Sequence, residues 1–394
     1  MARQILTLNQ ISIKGLERLP RDSYEVASEF SHPDAILLRS HKLKAEDIAD
    51  SVLAIGRAGA GVNNIPVAAC TQRGIPVFNS PGANANAVKE LVATGMLLGS
   101  RGVVEGIEYV RTLAHEQDEV ALNKTLEANK KLFKGSELSG KTLGVVGLGA
   151  IGSLVAEMAL TLGMDVIGYD PALSVEAAWR LSSQVRKADT LSALFARCDF
   201  ISLHLPVLDS TRGLINAELL SAVRPGTCLL NFARQEIVDE AALIEALEHG
   251  HLRSYIADFP SPALIKRDDV ILMPHIGAST EEAEDNCAIM AADQLRDFLE
   301  NGNIRNSVNF PTLQLERVSG CRLSVTNENV PRILGSVLSI LADENINVID
   351  MLNKSRDQVA YNLIDIESRP ADAVLDQMRA LNGVTNVRLI GNCA

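Results

Sequence analysis

The stretch GVVGLGAIG, residues 144–152, decides the fold of this chain. It continues the short apolar run KTLGVV and turns sharply through Gly147, Gly149 and Gly152, a Gly-x-Gly-x-x-Gly pattern. The residues AIGSLVAEMALTLG that follow carry apolar side chains at helical spacing and end on a glycine. A strand, a glycine turn and a helix in that order give the glycines a physical role. Without side chains there, backbone N–H groups can approach a pyrophosphate at the helix N-terminus, where the helix dipole favours negative charge. Asp170 closes the next strand, VIGYD, eighteen positions beyond Gly152. A carboxylate there accepts hydrogen bonds from a ribose 2′-hydroxyl and repels a 2′-phosphate, so the expected cofactor is NAD rather than NADP.

Outward from this unit, DVIGYDP, CDFISLHLP, TCLLNFA, SYIADFP and VILMPH read as short buried strands, with helical segments such as DEAALIEALEHG between some of them. Alternating strands and helices imply βαβ units and a parallel sheet. An earlier series, QILTL, AILLRS, VLAIGRAG and IPVFNSPG, predicts a second such sheet, and a helical segment near 85–113 connects the two. A helix at 281–301 and the tail NIRNSVNFP can return the chain to the first domain. From about Arg317 the order becomes βαββαβ, a ferredoxin-like unit. The expected architecture is therefore α/β, with two doubly wound parallel-sheet (Rossmann-like) domains and a C-terminal ferredoxin-like module. The expected boundaries are 1–98 plus 284–312, 99–283 and 317–394.

Composition narrows the function. The chain has 394 residues and a formal net charge of −12, which argues against general nucleic-acid binding. An anionic substrate would need locally placed arginine or lysine. Six scattered cysteines (Cys70, Cys198, Cys228, Cys287, Cys321, Cys393) form no Cys-x-x-Cys pair, so neither a disulfide framework nor a metal site is expected. With no signal-peptide-like apolar core at the N-terminus and no apolar run of membrane length, the expected location is cytoplasmic.

Three side chains fall just past predicted strands, where ligands of open α/β sheets bind. Arg234 follows LLNFA, Asp258 follows YIA, and His275 follows VILMP. An arginine fork holds a carboxylate and polarises the neighbouring carbonyl. A histidine accepts the proton of an alcohol as hydride leaves. With NAD, these are the parts needed to oxidise a 2-hydroxy acid.

VGLGAIG…GYDP, HLPVLDSTRGLIN, NFARQEIVDEAAL and PHIGASTEEAEDN resemble signature stretches of the D-2-hydroxyacid dehydrogenases, and the resemblance runs nearly end to end. It implies that Arg234 and His275 are catalytic. It places cofactor contacts on Ala150, Ile151, Asp170, Pro206, Phe232, Ala233 and Asp258, on Ile276, Gly277 and Ala278 of the loop after His275, and near Ser80. The segment IGRAGAGVNNIPVAACTQRGIPVFNSPGANANAVKELV resembles the family's substrate domain. By that likeness the amides near Ala58 and Gly59 receive a carboxylate, Arg57 and Arg39 bind a 3-phosphate, and Lys130 adds a cation. The implied reaction is NAD-dependent oxidation of 3-phospho-D-glycerate at the entry to L-serine synthesis, by a homodimer or homotetramer. The C-terminal unit resembles an ACT module, with Asn329 and Asn347 at positions that contact L-serine in related chains. The alternatives are a dehydrogenase of another D-2-hydroxy acid and an NAD-sensing corepressor-like binding protein.

The chain departs from the family pattern in three places. Related chains carry a glutamate shortly before the histidine to hold its ring. Here ADFPSPALIKRDDVILMPH has none before Pro262, and Ser261 stands nearest its place, so His275 is expected to work without that carboxylate. Asn327 replaces a histidine of the related effector stretch, and Arg332 a glycine.

Overall fold

The computed structural model describes residues 2–317 and 320–391, so Cys393 lies outside the described residues. The chain divides into two compact units, one formed by residues up to Asn84 and from Glu281 onward, the other by Ala85–Thr280.

In the first unit, β1 (Arg3–Leu8), β2 (Tyr24–Ala27), β3 (Ala35–Leu38), β4 (Ala54–Arg57) and β5 (Val77–Phe78) form a parallel sheet in the order β2-β1-β3-β4-β5. Every residue of β3 is buried, because a parallel strand in the middle of a covered sheet meets protein on both faces. Side chains alternate between those faces. Ala35, Leu37 and Ala54 join Ala291, Leu295 and Phe298 of the helix Glu281–Asn301. Ile36, Leu38 and Ile55 join Ile65, Cys70 and Val77 on the other side. Gly56 lets the helix approach, since a Cβ there would lie 2.9 Å from the Leu295 side chain.

The second unit carries β6 (Thr142–Val146), β7 (Asp165–Tyr169), β8 (Arg186–Lys187), β9 (Phe200–Leu203), β10 (Thr227–Asn231), β11 (Leu252–Ala257) and β12 (Val270–Leu272). All pair in parallel, in the order β12-β11-β10-β9-β6-β7-β8. The winding reverses between β9 and β6, which opens the crevice that α/β sheets use for ligands. The helix Ala85–Ser100 covers one face with Val88, Val92 and Met96, packed among Val145, Phe200 and Ile256. The sequence reading gave residues 85–98 to the first domain. Their apolar stripe is buried against this second sheet instead.

The C-terminal segment folds as β13 (Cys321–Glu328), helix Ile333–Asp343, β14 (Val348–Arg356), β15 (Val359–Ile366), helix Asp372–Arg379 and β16 (Val384–Ile390). The four strands form an antiparallel sheet in the order β14-β15-β13-β16. Its own core holds Leu323, Val337 and Met378. The sheet shares a second core with the first parallel sheet, where Tyr361 and Leu363 pack with Phe298 and Phe310. Arg322 is fully buried there. Its fork meets Asp365 at 2.6 and 2.8 Å, and its remaining N–H groups donate to the carbonyls of Asn301, Leu315 and Glu316. Cys70, Cys198, Cys228 and Cys287 are buried free thiols, whereas Cys321 is disulfide-bonded, against the expectation of unpaired cysteines.

Candidate active site

The glycine turn has the geometry that its spacing predicts. Gly147 adopts φ 91°, a conformation costly for any side chain, and donates its N–H to Tyr169 O at 2.8 Å. A Cβ at Gly147 would fall 2.5 Å from His204 O, and one at Gly152 would collide with Gly147 O. Nothing lies within 4 Å of where a Cβ of Gly149 would stand, and no side chain caps the helix Ala150–Thr161 that starts there. Among the described residues the first amides of that helix have no partner, an arrangement that fits the pyrophosphate of a dinucleotide. Asp170 is half-buried and already accepts two backbone bonds, from Leu148 N at 2.8 Å and Ala172 N at 2.9 Å. A carboxylate has about four acceptor positions, so a ribose hydroxyl can still be received.

Side-by-side pairing of β10, β11 and β12 sets the next part of the site. Asn231, Ala257 and Leu272 end these neighbouring strands and are paired in register. Arg234, Asp258 and His275 follow on one edge of the sheet. Arg234 is exposed, with extended backbone. It follows the buried Asn231, which binds Ala233 N and Arg234 O through its carboxamide at 3.1 and 2.9 Å and donates to Tyr255 Oη at 3.2 Å. The sequence reading missed Asn231. Its only signal is a polar residue ending a buried apolar strand.

Asp258 is 2% exposed and does something the resemblance did not imply. Its two oxygens accept the amides of Ile276 and Gly277 at 2.8 and 2.6 Å. A Cβ on Gly277 would lie 2.9 Å from Asp258 Oδ2, so this residue must be small. The clamp holds the loop immediately after His275, whose backbone takes the left-handed conformation at φ 58°. The His275 ring is exposed and lies 4.8 Å from the Phe259 ring. Among the described residues no carboxylate makes a hydrogen bond or ion pair with it. Ser261, nearest the place of the family's glutamate, is buried with its Oγ unpartnered.

The other cofactor candidates divide between backbone and core. The Phe232 side chain is core, facing Gly95 closely enough that a Cβ there would lie 2.9 Å away. Ala233 and Gly277 are buried, Ala278 is half-buried, and Ile276 is exposed. Pro206 is exposed and accepts Thr211 Oγ1 at 2.6 Å. Its neighbour His204 has a buried, unpartnered Nδ1 and a Ser202 hydroxyl 2.9 Å from Nε2, and burial lowers its pKa to about 3.

Several expectations in the first unit meet a different geometry. Ser80 is fully buried, and its hydroxyl donates to Cys287 O at 2.8 Å and reaches Arg57 O at 3.2 Å. The Ala58 amide donates to Leu38 O and the Gly59 amide to Arg57 O, so both amides expected to receive a carboxylate are engaged. The next two amides, of Ala60 and Gly61, have no partner among the described residues. The Arg57 side chain folds over Gly59, where any Cβ would strike it, and its Nε donates to Arg39 O at 3.2 Å. Arg39 pairs with Glu284 at 2.7 Å. Lys130 belongs to the second unit, where it pairs with Glu127. In the C-terminal sheet, Asn329 is exposed and donates to Asp357 O at 3.1 Å, and Asn347 is exposed. Asn327 is buried in a bond with Asn362 at 2.8 Å, and Arg332 holds φ 80°, the conformation a glycine would take without strain. No helix among the described residues is long and apolar enough to cross a membrane.

Residues 105–277 match a family described as D-isomer specific 2-hydroxyacid dehydrogenase, NAD binding domain. With the full-length relatives below, this shows that the chain belongs to the D-isomer specific 2-hydroxyacid dehydrogenases. Within that class it is similar to D-3-phosphoglycerate dehydrogenase of Haemophilus influenzae, 33% identical over 386 residues, spanning 94% of this chain and 90% of the relative. The Escherichia coli K12 D-3-phosphoglycerate dehydrogenase is 35% identical over 371 residues, 90% of this chain and 86% of its own length. Among solved structures, an NAD⁺-bound 3-phosphoglycerate dehydrogenase of Entamoeba histolytica matches with TM-score 0.61 and 30% identity, covering 79% of this chain and 100% of that one. The holo D-mandelate dehydrogenase of Rhodotorula graminis matches with TM-score 0.67 at 25% identity, covering 79% and 99%.

Proposed function

We propose that the chain oxidises 3-phospho-D-glycerate with NAD, yielding 3-phosphohydroxypyruvate. The observation that carries this reading is the register of β10, β11 and β12, which sets Arg234, Asp258 and His275 on one sheet edge beside an uncapped glycine turn. The names of the full-length relatives support the substrate. NAD, when bound, supplies the hydride acceptor, and its pyrophosphate would rest on the free amides of Ala150 and Ile151, with Asp170 on a ribose. His275 accepts the hydroxyl proton at a ring nitrogen. Arg234 orients the carboxylate and polarises the carbon that becomes a carbonyl. The amides of Ala60 and Gly61, which have no partner among the described residues, take over the carboxylate contacts that the resemblance gave to Ala58 and Gly59. Arg57 and Arg39 receive the phosphate, which must compete with Glu284 for Arg39. By the same reading residues 317–394 form a regulatory module, with L-serine the ligand to titrate, and the enzyme works as a homo-oligomer.

The test is NADH formation at 340 nm with 3-phosphoglycerate, D-glycerate and D-lactate. A kcat/KM at least tenfold higher for the phosphorylated acid is expected. Equal or better turnover of an unphosphorylated acid would move the substrate elsewhere in the family.

A further inference from the structure

The helix Glu281–Asn301 packs one face onto the first sheet, and beside that face lies a cavity of about 690 Å³ that the proposed reaction does not use. Most of its ionic groups are already balanced. Arg18 pairs with Asp293 at 2.7 Å, and Asp297 accepts the carboxamides of Asn301 and Asn303 at 2.9 and 3.0 Å. Three lining groups are not. Gln294 is 6% exposed, and neither its Oε1 nor its Nε2 has a hydrogen-bond partner. Asn286 and Arg305 line the same cavity and make no side-chain bond or ion pair among the described residues.

A buried carboxamide with both ends unpaired is costly, so natural structures rarely leave one without a partner. Gln294 calls for one donor and one acceptor close together. The unpaired guanidinium of Arg305 calls for a negative charge. Together these demands describe a small carboxylate with a hydrogen-bond donor on the adjacent carbon.

We propose that this cavity is a binding site for such a molecule, a small 2-hydroxy- or 2-amino-carboxylate. Gln294 holds the donor and one carboxylate oxygen, and Arg305 holds the charge. Glycolate and glycine present the two forms of this chemistry, and acetate lacks the donor. A ligand of five heavy atoms held this way binds with a Kd of about 1 mM.

The experiment is calorimetric titration of the full chain with glycolate, glycine and acetate, made in the Arg234→Ala variant so that the catalytic strand ends cannot report binding. Thermal melting runs in parallel. Saturable binding of glycolate, glycine or both is expected, with acetate at least tenfold weaker. At ten times Kd the melting temperature should rise by about 2–5 °C. Which of the two binds identifies hydroxyl or ammonium as the donor. Gln294→Leu should abolish binding. Arg305→Ala changes an exposed side chain without threatening the fold, and it should weaken binding at least tenfold. No saturable heat from either ligand would mean that the cavity holds water only, and would overturn the proposal. So would acetate binding as tightly as glycolate, or both variants binding like the parent.

Discussion

Replacing Asp258 by asparagine tests whether this residue clamps the catalytic loop or binds the cofactor. In the structure both carboxylate oxygens accept backbone amides, from Ile276 at 2.8 Å and Gly277 at 2.6 Å. A hydrogen bond to a charged acceptor in a dry site contributes about 1.5–3 kcal/mol. Asparagine keeps one acceptor and turns an NH₂ toward the other amide, which is then buried unpaired at a further cost of about 1–3 kcal/mol. Because Asp258 is 2% exposed, water cannot make good the loss. The sum is about 2.5–6 kcal/mol, which lowers Tm by on the order of 10 °C in a unit of this size. The loop that loses its anchor directly follows His275, held at φ 58°. Misplacing a catalytic group by about 1 Å costs up to about a hundredfold. Asp258→Asn should therefore lower kcat by about 10–100-fold and leave the NAD dissociation constant within about threefold. Stopped-flow kcat, NAD titration by fluorescence and calorimetric melting measure these quantities. A variant with parental kcat and Tm but a much weaker NAD affinity would refute the clamp and make Asp258 a cofactor ligand.

Glu284→Gln removes the anion that holds Arg39, so KM for 3-phosphoglycerate should fall a few-fold in steady-state assays and KM for D-glycerate should not. His204 has its pKa lowered to about 3 by burial, below the unfolded value of about 6.5. The unfolded chain thus binds the extra proton between these values. The contribution to stability is complete above about pH 6.5 and is lost as pH falls toward 3, at about 1.4 kcal/mol per pH unit. Denaturant melts of His204→Gln should show a flatter slope between pH 6.5 and 4 than the parent, and an unchanged slope would exclude His204 as the source. Arg322→Met leaves Asp365 charged and buried and strips three carbonyls of their donor, so urea unfolding should show a loss of about 3–5 kcal/mol or more. Loss under 1 kcal/mol would show that water replaces the fork.

The fold was legible wherever local pattern and global topology agree. GVVGLGAIG carries its own context, because a strand, a positive-φ glycine and a helix start within nine residues admit few alternatives. The βαββαβ order from residue 321 onward was equally plain. Its attachment was not. Nothing local in QVAYNLIDIES says that Tyr361 and Leu363 face a different core from Ile364 and Ile366, although alternation along β15 brings this about. The expected boundary at residue 98 gives residues 85–98 of the helix Ala85–Ser100 to the first domain for a similar reason. Its apolar stripe shows that it is covered on one side but not by which sheet.

The site was legible as residue types at strand ends and much less as roles. Arg234, Asp258 and His275 stand out because each polar side chain follows an apolar run. Asn231 does so equally and was overlooked, since its work is internal to the turn and leaves no charge to notice. Ala60 and Gly61 carry no side-chain chemistry at all. Their relevance rests on which backbone amides the first domain leaves unpaired, and only the hydrogen-bond pattern of the folded chain reveals that. Asp258 shows the same limit from the opposite side. A lone carboxylate after a strand reads as a ligand for something small, and here the something is the protein's own loop, nineteen residues further on. A clamp of that kind also bears on the missing glutamate. Two short bonds to the loop's amides fix its backbone, and Phe259 lies against the imidazole. The orientation of His275 can then come from backbone anchoring and ring contact, with no carboxylate at the ring. That division of labour is what the Asp258→Asn experiment separates, because a loop held only by its own packing would keep its kcat.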